Sequence, residues 1–240
     1  MILFGYSVNY AQITVACAAN VQYAMDELKA AYEKANGGEI KTIFGSSGKL
    51  TTQIKNGAPF DIFISADADF PESLFVYKFS IDKPKIYAYG KLVAWSAKNV
   101  KLDPKLVGID YVKIDKFAIA DPKRAPYGKE AERALKNAGL YDKISSKIVF
   151  GESITQVTQY IHTGTVDFGF NAKSVVLAGP MKNVGTWVEV DSTLYKPIAQ
   201  SAVMLQYGQN NNTETTKKFY DFIYLETARK ILIKYGYILP

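Results

Sequence analysis

The chain is poor in the residue types on which most catalytic and metal chemistry depends. Of its 240 residues one is cysteine, Cys17, and one is histidine, His162. A single cysteine excludes an intrachain disulfide framework and a thiolate metal cluster. A single imidazole leaves a zinc site or a catalytic triad almost without the group it needs, and His162, at the polar end of a predicted helix before Gly164, reads as a solvated side chain. No apolar run approaches the roughly 20 residues of a membrane span. Lysines never form a run of five, and no RNP, zinc-finger or basic-helix pattern occurs. The net charge of +6 and pI near 9.1 therefore suit an anionic surface or an anionic small ligand better than nucleic acid. Carboxylates are present near strand ends (Asp67, Asp69, Asp121, Glu152), but none forms a spaced pair that reads as general acid and base. Asp67 and Asp121 are expected to cap helices or orient loops.

What remains is a globular composition, 48% hydrophobic and 22% charged. Residues 1–11, MILFGYSVNYA, are apolar and end on a small residue, as the tail of a secretory signal does. They are read as a leader remnant, with the mature chain starting near Gln12. From there short β-branched runs alternate with helical periodicity, the pattern of α/β sheets with crossover helices. Strands are expected at 13–17, 40–44, 61–66, 117–120, 147–150 and 166–170. Helices are expected after Asn20, over 49–55, over 129–137, after the Ser153 cap, and over 215–235. Two longer extended segments, 87–96 and 197–207, divide the pattern into two α/β halves. The chain thus reads as two lobes, 12–90 with 199–240 and 91–198, each a mixed sheet flanked by helices and joined by two extended crossings.

A recurring feature is a strand that ends in small or hydroxyl residues and hands over to a helix start: Asn20, Ser46-Ser47, Tyr127-Gly128, Ser153-Ile154 and Asn171-Ala172. Helix starts carry unpaired N–H groups and a partial positive charge, and ligands of α/β sheets sit at the carboxyl ends of strands. Any one such residue is more simply a cap for its own helix, but repetition in both halves favours an anion cage. Gly45-Ser46-Ser47-Gly48-Lys49 is not a P-loop, which needs a longer spacer and Ser or Thr after the lysine, where Leu50 stands. Ser46-x-x-Lys49 matches one motif of penicillin-reactive enzymes, but their Ser-Asp-Asn and Lys-Thr-Gly partners are missing. Lys123 and Arg124 read as solvated loop charges that could steer an anion.

Several stretches, in order, resemble the periplasmic molybdate-binding proteins of ABC transporters: ITVACAANVQYAMDEL, IFGSSGKLTTQI with NGAPFDIFISAD, ADPKRAPYGKEAERAL, GESITQVTQYIHTG and FYDFIYLETARKILIKYGY. The likeness runs from Gln12 to Pro240. It implies a type II periplasmic-binding-protein fold and an exported, monomeric, non-enzymatic receptor. The receptor would deliver molybdate or tungstate to a membrane permease, without a cofactor and without direct metal ligands. Carried over by position, it implies oxyanion contacts from Asn20, Ser47, main-chain N–H groups at Tyr127 and Ile154, and the Asn171-Ala172 turn. Many relatives have Ser in place of Asn20 and Tyr near Ala172, so the last contact departs from the pattern. A cage of donors alone suits a fully deprotonated dianion, because a protonated phosphate would leave its O–H unpaired at a cost of about 1–3 kcal/mol. Sulfate would be discriminated by size. Receptors for sulfate or a small carboxylate, an enzyme on the same scaffold, and a ligand-sensing domain of a regulator are the other readings.

Overall fold

The computed structural model describes residues 12–240; the leader expected at 1–11 lies outside the described residues. Ten strands occur among them: β1 (Ile13–Ala18), β2 (Ile40–Gly45), β3 (Ile62–Ile64), β4 (Lys85–Gly90), β5 (Leu92–Ser96), β6 (Phe117–Ala120), β7 (Ile148–Gly151), β8 (Phe168–Ala172), β9 (Thr186–Glu189) and β10 (Ile198–Met204). They form two five-stranded mixed sheets, ordered β2-β1-β3-β10-β4 and β7-β6-β8-β5-β9. In the first, β1 runs parallel to β2 and β3, and β10 lies antiparallel between β3 and β4. In the second, β6 is parallel to β7 and β8, while β5 is antiparallel to β8 and β9.

The run ITVACA becomes a central strand because both of its faces are covered. Ile13, Val15 and Cys17 pack with Met25, Leu28 and Tyr32 of the helix Gln22–Asn36 and with Phe219 and Leu232. Ala16 packs on the opposite face with Leu50, Phe63 and Leu74. The second sheet has its own core, in which Phe117 stacks on Phe168 with ring centroids 5.0 Å apart.

The extended segment expected at 87–96 is two strands in different sheets, β4 and β5, with only Lys91 between them. The chain returns to the first sheet in β10. The helix expected over 215–235 is broken into Thr213–Phe222 and Glu226–Lys234. Buried Phe219, Phe222 and Ile223 are followed by Ala228, Ile231 and Leu232, and the five-residue step from 223 to 228 is out of phase with a straight helix. The break re-aims the second stripe at the same core. No helix of the described residues is long and apolar enough to cross a membrane.

Candidate functional site

Five strand ends of the two sheets meet at one small cavity. The first sheet contributes Ala18, Ala19 and Asn20 after β1, Gly45, Ser46 and Ser47 after β2, and Ala66 beyond β3. The second contributes Ala125, Pro126 and Tyr127 after β6, and Ile154 after β7. No charged side chain lines it. Its volume is about 10 Å³, room for a single small group and not for an organic molecule.

The donors facing it come from helix starts. Ser47, Tyr127 and Ile154 lie in the first turns of the helices Ser47–Lys55, Pro126–Asn137 and Ile154–His162, where main-chain N–H groups have no intrahelical acceptor. The proline at the start of the second pre-sets the helical φ. That helix therefore begins earlier than the 129 expected from its apolar spacing. Ser153 accepts the Gln156 N–H at 3.4 Å, capping its own helix and leaving the Ile154 N–H uncommitted by that cap. Ser47 Oγ accepts the Ala66 N–H at 3.1 Å, so its hydroxyl proton is available to an acceptor in the cavity.

Asn20 is at the cavity, but its side chain faces inward. Its amide donates to Gln200 Oε1 at 2.9 Å and to the Tyr237 hydroxyl at 3.1 Å, which commits both amide hydrogens. Its carbonyl accepts from Ser174 Oγ at 2.7 Å and from the Tyr237 hydroxyl at 3.1 Å. Gln200 also accepts from the Tyr87 hydroxyl at 2.7 Å and donates to the Tyr127 hydroxyl at 3.0 Å. Asn20 is thus a structural hub joining both sheets, where the sequence reading had made its side chain a ligand donor. Burial pushes the hydroxyls of Tyr87 and Tyr127 well above the usual tyrosine range and that of Tyr237 up to about 12. The network is therefore uncharged.

Asn171 and Ala172 are not brought to the cavity. They are strand residues of β8, paired with Val93 and Leu92, and not the turn expected from sequence. The Asn171 amide donates to Thr158 Oγ1 at 3.0 Å, its Oδ1 accepts the Ala172 N–H at 2.8 Å, and both residues are wholly buried. The Asn171 side chain is thus engaged by the helix Ile154–His162 and by its own strand.

The cations lie outside. A wider recess of about 580 Å³ beside the cavity is lined by Lys49, Lys123, Arg124, Phe70 and Glu152 among others. Across it Lys49 pairs with Glu152 at 2.6 Å, and the Gly48 N–H donates to the Arg124 carbonyl at 2.8 Å. A Cβ on Gly48 would stand 3.0 Å from Arg124 Cα, so glycine allows the two halves to meet there. Arg124 is held by Asp121 at 3.6 Å. Asp121 also accepts the Lys123 N–H at 3.0 Å, ordering the loop as expected.

Asp67 caps the helix Asp69–Val76 by accepting the Phe70 N–H at 3.2 Å. Burial pushes its carboxyl up to about 6, against the Phe70 and Ser65 hydrogen bonds, which favour the charged form. A carboxyl whose folded pKa exceeds its unfolded value binds the proton more tightly in the folded state, so stability rises as pH falls through about 6 and levels off below the ordinary value near 3.8. Relative to Asp67→Asn, the wild type is expected to gain stability between pH 7.5 and 4.5 in urea unfolding. A difference that stays flat over that range would show that burial does not perturb this carboxyl.

Sequence reading names Ser46 only as part of the Ser46-Ser47 helix start, and it misses Gln200 and Tyr237. Gln200 had a signal: it is a lone amide in the otherwise largely apolar run PIAQSAVML, and a polar group in a buried strand needs a partner.

The description "Bacterial extracellular solute-binding protein" matches residues 13–238. The molybdate-binding protein ModA of Rhodobacter capsulatus is 36% identical over 95% of this chain and 88% of its own. The periplasmic molybdate-binding protein of Azotobacter vinelandii superposes with a TM-score of 0.89 at 31% identity, covering 95% of this chain and 99% of that one. The sulfate-binding protein SubI of Mycobacterium tuberculosis, at 14% identity and a TM-score of 0.76, covering 95% of this chain and 86% of its own, shares the fold.

Proposed function

The chain belongs to the bacterial extracellular solute-binding protein family, and from that premise we propose that it captures molybdate between its two lobes and hands it to an ABC importer. The observation that carries this reading is the cavity itself: it is lined by residues from both halves and by no charge, and faced by the first turns of three helices and the Ser47 hydroxyl. Relatives named as molybdate-binding proteins support the choice of anion. Tungstate, nearly alike in shape, is taken as well. The protein acts as an exported monomer with lobes at 12–90 with 199–240 and at 91–198.

Ser47 contacts the anion through its hydroxyl, and Tyr127 and Ile154 contact it through main-chain N–H groups. Asn20 contributes through the main chain of the Ala19–Val21 turn, its amide being committed to Gln200 and Tyr237. Asn171 and Ala172 are buried in β8 and do not line the cavity. Closure follows from the anion bridging helix starts of both lobes, since a ligand shifts an equilibrium only by its preference for one state.

Calorimetric titration with molybdate, tungstate, sulfate, phosphate and a dicarboxylate tests this. Molybdate and tungstate are expected to bind and phosphate to fail, because every cavity group on this reading donates. Silence with molybdate would end the proposal, and sulfate binding as tightly as molybdate would end the size argument. Ser47→Ala is expected to weaken molybdate binding by about 1.5–3 kcal/mol, the range for a hydrogen bond to a charged group; unchanged affinity would remove Ser47 from the site.

A further inference from the structure

Ser46 immediately precedes the helix Ser47–Lys55, where a serine ordinarily caps the helix by accepting an N–H from its first turn. Here it does not: its side chain makes no capping hydrogen bond. The residue is 3% exposed, and its hydroxyl has no hydrogen-bond partner. Its carbonyl is engaged, accepting the Leu50 N–H at 3.0 Å. The neighbouring Ser47 hydroxyl is fixed by the Ala66 N–H. Ser46 lines the same cavity as Ser47, Tyr127 and Ile154.

Buried hydroxyls are paired as a rule, and an unpaired one is destabilising. A hydroxyl that forgoes its cap and is left unpaired at the wall of a cavity is poised for a group that enters the cavity. An oxyanion offers only acceptors, and Ser46 holds a proton that nothing in the protein takes. We infer that Ser46 donates its hydroxyl proton to the bound oxyanion, as a further ligand contact beside Ser47. The inference rests on reading the cavity as the anion site. It makes two successive side chains of one turn grip the same ligand, with the N–H groups of the helix start behind them.

The test is titration of the full chain with sodium molybdate, for the wild type and Ser46→Ala, together with thermal unfolding of both without ligand. The expected result is at least a tenfold rise in Kd, with the ligand-free midpoint unchanged or higher because no protein hydrogen bond is lost. An affinity within twofold of the wild type overturns the inference. A lowered ligand-free midpoint overturns it as well, since the hydroxyl would then have a partner in the free protein. Ser46→Cys, which keeps similar volume but donates weakly, is expected to lose affinity in the same direction, and wild-type affinity there counts against the assignment. If the wild type gives no heat with molybdate, the functional reading falls by itself, and the same variants are compared with sulfate. Ser46→Ala must then weaken sulfate binding, and an unchanged or undetectable sulfate affinity overturns the contact.

Discussion

Gly128→Ala is expected to weaken molybdate binding about a hundredfold, roughly 3 kcal/mol, and to lower the stability of the ligand-free protein. Gly128 is in the first turn of the helix Pro126–Asn137, beside Tyr127. A Cβ there would stand 1.9 Å from the Ala120 carbonyl oxygen and 2.6 Å from its carbon. Those are backbone atoms at the end of β6 and cannot rotate away, so the helix start must retreat from the sheet by roughly 1 Å. Overpacking of this kind typically costs about 1–3 kcal/mol of stability. The same retreat carries the Tyr127 N–H away from the cavity. Hydrogen bonds to an anion are lost over that distance, and the hydroxyl of Tyr127 is drawn off Gln200. Calorimetric titration and ligand-free unfolding measure the two effects separately. Affinity within threefold of the wild type would mean that the position of this helix start does not set the site.

Gln200→Leu is expected to destabilise the folded protein by about 2–5 kcal/mol, one of the larger effects a single substitution has. Gln200 is wholly buried in β10. Its removal leaves an Asn20 amide hydrogen without an acceptor, the Tyr87 hydroxyl with only a long 3.5 Å bond to the Ser65 carbonyl, and the Tyr127 hydroxyl without its donor. Each buried group stranded in this way costs about 1–3 kcal/mol. The hydrogen bond to Tyr127 is also a tie between the lobes, and Gly90 makes room for it: a Cβ at Gly90 would lie 2.0 Å from the Tyr127 hydroxyl and 2.5 Å from Gln200 Nε2. Gln200→Glu separates stability from binding. A carboxyl there keeps acceptors for Asn20 and Tyr87, so the stability loss should be smaller than for leucine. When ionised it places a negative charge near a dianion, so affinity should fall more steeply as pH rises. Urea unfolding in which the leucine variant matched the wild type would show the network to be dispensable.

Much of the fold was legible because its signals are local. The apolar run ITVACA, the end of the helix expected over 49–55 and the Ser153 cap are set within one turn or one strand, and the structure has them as strand, helix end and cap. Ser47, Tyr127 and Ile154, which line the cavity, each stand at the start of a helix directly after or near a strand end, a pattern that sequence displays. Where expectation and structure part, the deciding contact is distant. Asn171 and Ala172 look like a turn until β5 pairs with them. The C-terminal helix looks continuous until both of its apolar stripes must reach one core. Asn20 looks like a donor until partners 180 and 217 residues away take its amide.

By itself the sequence determined the alternation of strands and helices, the division into two α/β halves, and the scarcity of imidazole and thiol. Periodicity, caps and composition are properties of neighbouring residues. Only the tertiary structure decided which strand ends meet and which polar groups are already satisfied. It turned Asn20 and Asn171 inward and left the charges of Lys49 and Arg124 outside the cavity. It also left the Ser46 hydroxyl beside Ser47 without a partner. Whether a buried donor is available depends on what folding has placed within about 3 Å of it, and no local pattern carries that information.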